Sequence, residues 1–207
     1  AIKEAREIIA CCIGADSEEI VFTSCGTESD NWAIKLGAGE SDCVVTSTIE
    51  HHAVLNSCKT LERHGRKVTY IPVDQKGIID INCADECLRS GTGLVSVMFL
   101  NNEIGSIQPI KELASLAHKY GYLFHTDAVQ AVGHVEIDVH QLGIDMLSAS
   151  AHKFNGPKGI GFLYVKKGID LYPYIDGGSQ EKGRRAGTEN VASIVGMAEA
   201  LKKNCLE

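Results

Sequence analysis

Lys153 stands where a run of small residues gives way to a turn. It follows Ser-Ala-Ser-Ala-His (148–152) and precedes the segment 155–159, which contains glycine and proline. This pattern predicts a strand that ends just before the lysine. A lysine amine in that position can form a Schiff base with a carbonyl cofactor if its surroundings make it nucleophilic, and Ser150 and His152 could donate hydrogen bonds to a phosphate. On its own the motif is short, and a solvated loop lysine is the more common explanation.

Asp127 follows an apolar pattern that predicts another strand, and it begins the sequence Asp-Ala-Val-Gln (127–130). A buried acid at this point must pair with a cationic group. A protonated pyridine nitrogen would suit it, and the pairing would keep the ring an effective electron sink. Gln130 could reach the phenolic oxygen of such a ring. The alternative is that Asp127 only caps the helix that follows.

A helix start preceded by glycine is the third candidate. Residues 23–30 pass from a strand pattern through Gly26 into a helix opened by Thr27, with Asp30 three residues later, which resembles a capping box. Helix N-termini offer free N–H groups to an anion, and glycine allows a close approach. A phosphate could bind here, although the chain has no P-loop sequence and an ordinary helix cap is the alternative.

His51 and Asn102 each follow a predicted strand, in Glu-His-His-Ala (50–53) and Asn-Asn-Glu-Ile-Gly (101–105). An imidazole can stack on a π-deficient ring and move protons, and Asn102 could donate to a ring oxygen or a substrate carboxylate. The alternatives are a helix cap for His51 and turn residues that satisfy their own backbone for the two asparagines.

The elements that must position these residues alternate along the chain. Strands are predicted at 20–23, 43–47, 67–73, 94–100, 122–126, 146–150 and 159–165, and helices at 28–36, 53–64, 83–89 and 110–120. Such alternation predicts an α/β fold with three layers, α/β/α, around a mostly parallel sheet. Because ligands of open α/β sheets bind outside the carboxyl ends of the strands, the candidate residues are expected to meet at one edge.

The order and spacing of these motifs resemble those of the cysteine desulfurases, which belong to the fold-type-I, class V aminotransferase group. The matching segments are 22–31, 50–55, 101–105, 125–130, 150–153 and 184–190. Six separated motifs in the same order make a specific signal. Segments 101–105 and 185–190 are most similar to the branch of the family that serves iron–sulfur cluster assembly and nitrogen fixation.

The resemblance implies a pyridoxal 5'-phosphate cofactor, with Lys153 and His51 as catalytic residues. Lys153 would form the Schiff base, His51 would stack on the ring and Asp127 would pair with the pyridine nitrogen. The remaining ligands would be Gln130 and Asn102 near the phenolic oxygen, and Gly26, Thr27, Ser150, His152 and, from a neighbouring subunit, Thr188 at the phosphate. The implied assembly is a homodimer.

The resemblance also implies an activity, the conversion of L-cysteine to L-alanine with the sulfur passed as a persulfide. An iron–sulfur scaffold or another sulfur-acceptor protein would receive the sulfur. Selenocysteine lyases and aminotransferases share the scaffold and remain alternatives, because fold alone does not fix function. A metal-binding module and a non-catalytic scaffold are the alternatives from other classes.

Two departures from the family pattern bear on function. Cys25 stands before Gly26, where relatives usually carry a small residue. None of the eight cysteines lies in the flanking sequence that the family uses for its sulfur-accepting nucleophile, so no catalytic cysteine is assigned. We expect residues 1–207 to be the cofactor-binding large domain, truncated at both ends and without the small C-terminal domain, and to be inactive alone.

The composition excludes several other classes. The formal net charge of −7, without a basic stripe, disfavours nucleic acid as a partner. No Cys-x2-Cys pair is present and Cys83-x3-Cys87 has no second pair at ligand spacing, so no metal site is expected. Eight cysteines in so long a chain suggest reduced thiols and a cytoplasmic protein. The longest apolar stretch, 94–100, is too short to cross a bilayer, and we expect neither export signal nor membrane anchor.

Overall fold

The structure is a computed structural model that describes residues 1–39, 43–89, 91 and 93–205. Its strands are β1 Ile20–Thr23, β2 Cys43–Ser47, β3 Lys67–Ile71, β4 Gly93–Ser96, β5 Leu123–Asp127, β6 Met146–Ser150 and β7 Gly161–Val165. Its α-helices are α1 Ile2–Cys12, α2 Gly26–Leu36, α3 His52–Arg63, α4 Ile81–Leu88, α5 Ile110–Lys119, α6 Val139–Leu142 and α7 Val191–Cys205. Short 3₁₀ turns occupy Ser17–Glu19, Ala151–Phe154 and Gln180–Gly183.

The described strands form one seven-stranded sheet in the order β1-β7-β6-β5-β4-β2-β3. Strand β7 runs antiparallel to both of its neighbours, β1 and β6, and all other pairs are parallel. Six strands therefore point the same way, and their carboxyl ends lie along one edge. The predicted fold class with a mostly parallel sheet is confirmed.

Helices cover both faces of this sheet. Neighbouring strand residues alternate between two apolar clusters: Val44 packs with Trp32 of α2 and Val54 of α3, whereas Val45 packs with Leu113 of α5 in the cluster that also holds α1, α4 and α7. This period of two is what a strand buried on both faces requires. The predicted three-layer arrangement is therefore confirmed. Among the described residues, no helix is long and apolar enough to span a membrane.

Three predicted strands are too long, and one of them, expected at 159–165, begins only at Gly161. The strand expected at 67–73 ends at Ile71, and the strand expected at 94–100 ends at Ser96. On the β2 side this last strand ends because the backbone N–H of Met98 donates to the Glu50 carboxyl group, at 3.0 Å from each oxygen. Val97 and Phe99 still donate to the His125 and Asp127 carbonyls of β5. Apolar side chains continue past Ser96, so the residue pattern cannot reveal this change of partner.

A buried carboxylate connects the amino ends of the parallel strands, opposite the carboxyl edge, to α5. The Asp145 side chain is 4% exposed and accepts hydrogen bonds from His118 Nε2 at 2.6 Å, from the Phe124 backbone N–H at 2.9 Å and from Lys166 Nζ at 3.1 Å. These donors lie on α5, on β5 and just after β7. A single side chain therefore connects three elements that are distant in sequence.

Replacement of Asp145 by alanine is expected to destabilise the chain by about 2–4 kcal/mol, because it leaves the buried Phe124 N–H without a partner and removes the contacts with His118 and Lys166. Urea unfolding followed by circular dichroism measures the loss. Asp85→Ala is the matched control, because Asp85 also contacts two basic side chains, Arg89 and Lys119, but at the surface; its loss should be much smaller. Equal losses for the two variants would contradict this role of Asp145.

Candidate active site

A cavity of about 240 Å³ opens at the carboxyl edge of the sheet. Nine of the ten ligand residues predicted from the sequence line it: Gly26, Thr27, His51, Asn102, Asp127, Gln130, Ser150, His152 and Lys153. They come from the loops that follow β1, β2 and β4 and from the ends of β5 and β6. The parallel strand order is what brings these distant segments together.

Lys153 has an exposed side chain on a fixed backbone. It lies in the 3₁₀ turn Ala151–Phe154, which directly follows β6, and its carbonyl accepts a hydrogen bond from His134 Nε2 at 2.8 Å. Gly156 closes the turn by donating to the Ala151 carbonyl at 2.8 Å, and a Cβ at Gly156 would lie 2.9 Å from that same oxygen. The lysine amine is thus presented to the cavity from a turn that tolerates little change.

The start of α2 offers backbone donors to an anion. The sequence predicted that Thr27 caps this helix, which is wrong: the helix begins at Gly26, its N-cap residue is Cys25, and no side chain caps it. Thr27 lies inside the first turn. Helix N–H groups left without a cap are available to a ligand, and Gly26 and Thr27 both line the cavity.

Two side chains at and just after the end of β6 could donate to the same anion, and Ser150 Cβ would lie 3.4 Å from a Cβ at Gly26. Ser150 Oγ lies 3.0 Å from His152 Nδ1. Burial lowers the pKa of His152, and the neighbouring charges of Lys153 and Lys158 lower it further. A neutral imidazole and a hydroxyl can both donate hydrogen bonds to an anion.

Asp127 ends β5 with a carboxylate that is only partly satisfied. The residue is 5% exposed, Oδ1 accepts the Val129 N–H at 2.9 Å, and no described residue donates to Oδ2. Burial raises the pKa of Asp127, while the Val129 hydrogen bond and the charges of His51 and Lys153 oppose the rise. No helix follows directly after Asp127, because residues 129–134 form turns and α6 begins only at Val139, so the predicted helix cap is wrong. Oδ1 instead holds the turn through the Val129 N–H, and the other oxygen remains available to a ligand.

His51 caps α3 and lines the cavity at the same time. Its Nδ1 accepts the Ala53 N–H at 3.1 Å, so a neutral ring carries its proton on Nε2. The two roles that the sequence left as alternatives coexist, because the cap uses one ring nitrogen and fixes the orientation of the other.

The two asparagines after β4 have different roles. Asn101 is buried and organises the loop: its Oδ1 accepts the N–H groups of Glu103 and Ile104, and its Nδ2 donates to the Ile49 carbonyl at 3.0 Å. Asn102 lines the cavity instead. The turn alternative therefore holds for Asn101, whose bonds position its neighbour.

Several cavity residues were not predicted from the sequence, namely Asp30, Met98, Leu100 and Val129. Asp30 looked like the acid of a capping box, but it is 1% exposed because α2 packs its polar face against the sheet. The apolar residues carried no chemical signal. Cys25, expected in the wall of the site, does line the cavity.

Thr188 lies outside this cavity. It lines a second cavity of about 170 Å³ together with Thr23, Ser24 and Arg185. Arg185 is held there by Glu28, with Nε 2.8 Å from Oε1 and Nη2 3.0 Å from Oε2. A contact of Thr188 with a cofactor phosphate in a neighbouring subunit stays a prediction.

The eight cysteines, all in the described part of the chain, are free thiols. Within the same residues, no group of three or more His, Cys, Asp or Glu side chains is arranged to hold a metal ion.

Comparisons with known proteins show which proteins the chain resembles over its whole length. The chain is 54% identical over its whole length to "Cysteine desulfurase IscS" of Dictyoglomus turgidum, and 53% identical over 98% of its length to the protein of the same name of Methanosarcina thermophila. It covers 54% and 51% of those two proteins, so the chain spans about half the length of the curated relatives it matches.

Solved structures of similar proteins also superpose closely on this chain. A "NifS-like protein" superposes with a TM-score of 0.95 at 42% identity, over 98% of this chain and 57% of that one. A structure described as "SspA in complex with cysteine" superposes with a TM-score of 0.93 at 45% identity, over 97% of this chain and 60% of that one. The family model for "Aminotransferase class-V" matches residues 1–204, and the chain therefore belongs to the class-V aminotransferase family.

Proposed function

We propose that this chain is the cofactor-binding part of a pyridoxal-phosphate-dependent cysteine desulfurase. The observation that carries the proposal is the placement of an exposed lysine amine, Lys153, and a buried carboxylate, Asp127, in the walls of one cavity. The similarity to proteins named cysteine desulfurase, at about half identity, supports L-cysteine as the substrate. The similar structure whose title names a complex with cysteine supports the same choice.

The residues of the cavity fit pyridoxal phosphate at three points. Asp127 has an oxygen without a partner among the described residues, which suits a protonated ring nitrogen. The uncapped start of α2, with Ser150 beside it and His152 bonded to Ser150, suits a phosphate. Lys153 supplies the amine for covalent attachment. When bound, the cofactor supplies an electron sink that stabilises negative charge on the α-carbon of an amino acid.

The protein side chains have separate tasks in this proposal. Asp127 keeps the proton on the ring nitrogen, because its negative charge is held in a desolvated site. His51 would lie against the ring and hold a proton at Nε2. The Lys153 amine, when not bound to the cofactor, would accept or return a proton. Gln130 and Asn102 would contact the phenolic oxygen and its surroundings.

Sulfur transfer needs a thiolate that can reach the substrate, and the buried thiols of this chain are poorly suited to that task. Burial raises the pKa of Cys12 and of Cys58 to about 12, so both are protonated at neutral pH. We propose that the sulfur-accepting cysteine is supplied from outside these residues. The resulting persulfide would pass to an iron–sulfur scaffold or another acceptor protein, from a homodimer in which Thr188 serves the neighbouring site.

Replacement of Lys153 by alanine should abolish the visible absorbance of bound pyridoxal phosphate that survives gel filtration. The fold should be retained, because the side chain is exposed and its backbone makes the contacts of the turn. Absorbance spectra and circular dichroism measure the two effects. Lys158→Ala, an exposed lysine in the same loop, is the control and should keep the band. Retention of the band by the Lys153 variant would remove the lysine from its assigned role.

Replacement of Asp127 by asparagine should leave part of the cofactor binding but lower turnover in the complete enzyme by at least about 100-fold, because an unprotonated ring is a poorer electron sink. The rate of alanine production from L-cysteine measures the turnover. Asp80→Asn is matched, because Asp80 Oδ1 also accepts a backbone N–H two residues on, at the start of α4. If the Asp127 variant turned over as fast as this control, the pairing with the ring nitrogen would be wrong.

The purified chain alone should release no sulfide from L-cysteine, even when it binds pyridoxal phosphate. We expect this because none of the eight cysteines is assigned as the thiolate that accepts the sulfur. Assays for sulfide, selenide and keto-acid release from the complete enzyme distinguish the desulfurase from a selenocysteine lyase and an aminotransferase. Catalytic sulfide release by residues 1–207 would show that one of the eight cysteines does act as the acceptor.

A further inference from the structure

A second buried carboxyl group shares the cavity with Asp127. Asp30 of α2 is 1% exposed and also lines the cavity. His125 and Asp127 are two residues apart in β5 and so point to the same face of the sheet. Asp30 lies against that face, since its Oδ1 is 3.9 Å from His125 Nε2.

No cation neutralises Asp30 from this face. The His125 ring is fully occupied by hydroxyl groups, with Nδ1 2.8 Å from Ser96 Oγ and Nε2 2.9 Å from Ser148 Oγ. Burial lowers the pKa of His125 to about 3, so the ring is neutral at physiological pH. Its distance from Asp30 is too long for a hydrogen bond. Among the described residues, Asp30 Oδ1 has no hydrogen-bond partner.

The charged and titratable groups around the two acids favour different protonation states. Burial and the charge of Asp127 raise the pKa of Asp30 well above its usual value, Glu50 and Cys25 add smaller effects in the same direction, and Ser148 opposes them. Asp127 is also buried, but it receives the Val129 N–H and faces the positive charge of Lys153, with His51 acting in the same direction. The negative charge of each acid disfavours ionisation of the other, so the proton goes to the less stabilised anion.

We propose that Asp30 is a positioning residue that stays a neutral acid beside Asp127, so that the pair presents a single negative charge to the cavity. The function assigned to that charge rests on the proposed cofactor: one negative charge matches one protonated ring nitrogen. With two ionised acids the site would carry an excess charge, and with none it would not hold the ring proton.

Infrared spectroscopy of the purified chain without cofactor tests the protonation state directly. At neutral pH, Asp30→Asn should remove a carbonyl-stretch band of a protonated carboxylic acid. Glu50→Gln is the matched control, because burial raises the pKa of Glu50 to about 8, and its loss should remove a separate band. Asp127→Asn should lower the pH at which the Asp30 band disappears, because the neighbouring negative charge is gone.

The Glu50→Gln chain gives the same information if Asp30→Asn fails to fold. In that background the remaining band belongs to Asp30, and adding Asp127→Asn should shift its titration to lower pH. A merely structural Asp30 would not respond in this way. If Asp30→Asn left every protonated-acid band in place, Asp30 would be an ion paired with a charged His125, and the proposal would be overturned. An Asp30 titration unaffected by Asp127→Asn would overturn it as well.

Titration with pyridoxal phosphate separates this inference from the proposed function. Asp30→Asn should bind it within about threefold of the unmodified chain, since the amide keeps the pair at one negative charge, and Asp127→Asn should bind it at least about tenfold more weakly. Failure of the unmodified chain to bind pyridoxal phosphate would refute the proposed function but leave the infrared result to decide the carboxyl pair. If a folded Asp30→Asn chain bound pyridoxal phosphate more than tenfold more weakly, the proposal that the two acids share one negative charge would be contradicted.

Discussion

The Asp127 carboxyl group is buried in the wall of the cavity, and much of the architecture around the cavity follows from that constraint. An isolated buried carboxylate is costly, so it requires hydrogen bonds, nearby positive charge or a bound cation. The structure supplies one backbone N–H from Val129 and the positive charge of Lys153, and it leaves one oxygen without a donor among the described residues. That second oxygen is free to accept a hydrogen bond from a ligand.

The parallel sheet is what makes such a site possible. Six strands point to one edge, so the residues that follow β2, β4, β5 and β6 meet there although they are up to about a hundred positions apart in sequence. The loops at this edge are fixed by buried side chains as well as by the backbone hydrogen bonds of Val97 and Phe99 to β5. Glu50 binds Ser47 Oγ and the Met98 N–H, and Asn101 binds the Ile49 carbonyl. Ligand groups are thus held in place before a ligand arrives, which lowers the cost of binding.

The sequence predicts the strands that are buried on both faces better than it predicts their ends. Segments 20–23, 43–47 and 146–150 are strands with those bounds, because their apolar residues are flanked by turn residues. The end of β4 could not be predicted, since it depends on Glu50, which is 48 positions away from Met98 in sequence. Nine candidate ligands meet as expected because their motifs follow strands. The prediction that Asp30 belongs to a capping box was wrong, because only the packing of α2 on the sheet shows that this acid is buried.

The location of the reactive amine is the central claim of this account. It is tested most directly by reducing the pyridoxal-phosphate-loaded chain with borohydride, digesting it and mapping the modified peptide by mass spectrometry. The account predicts a single phosphopyridoxyl group on Lys153. Modification of Lys158 or another lysine in its place, or a chain left unmodified after loading, would contradict it.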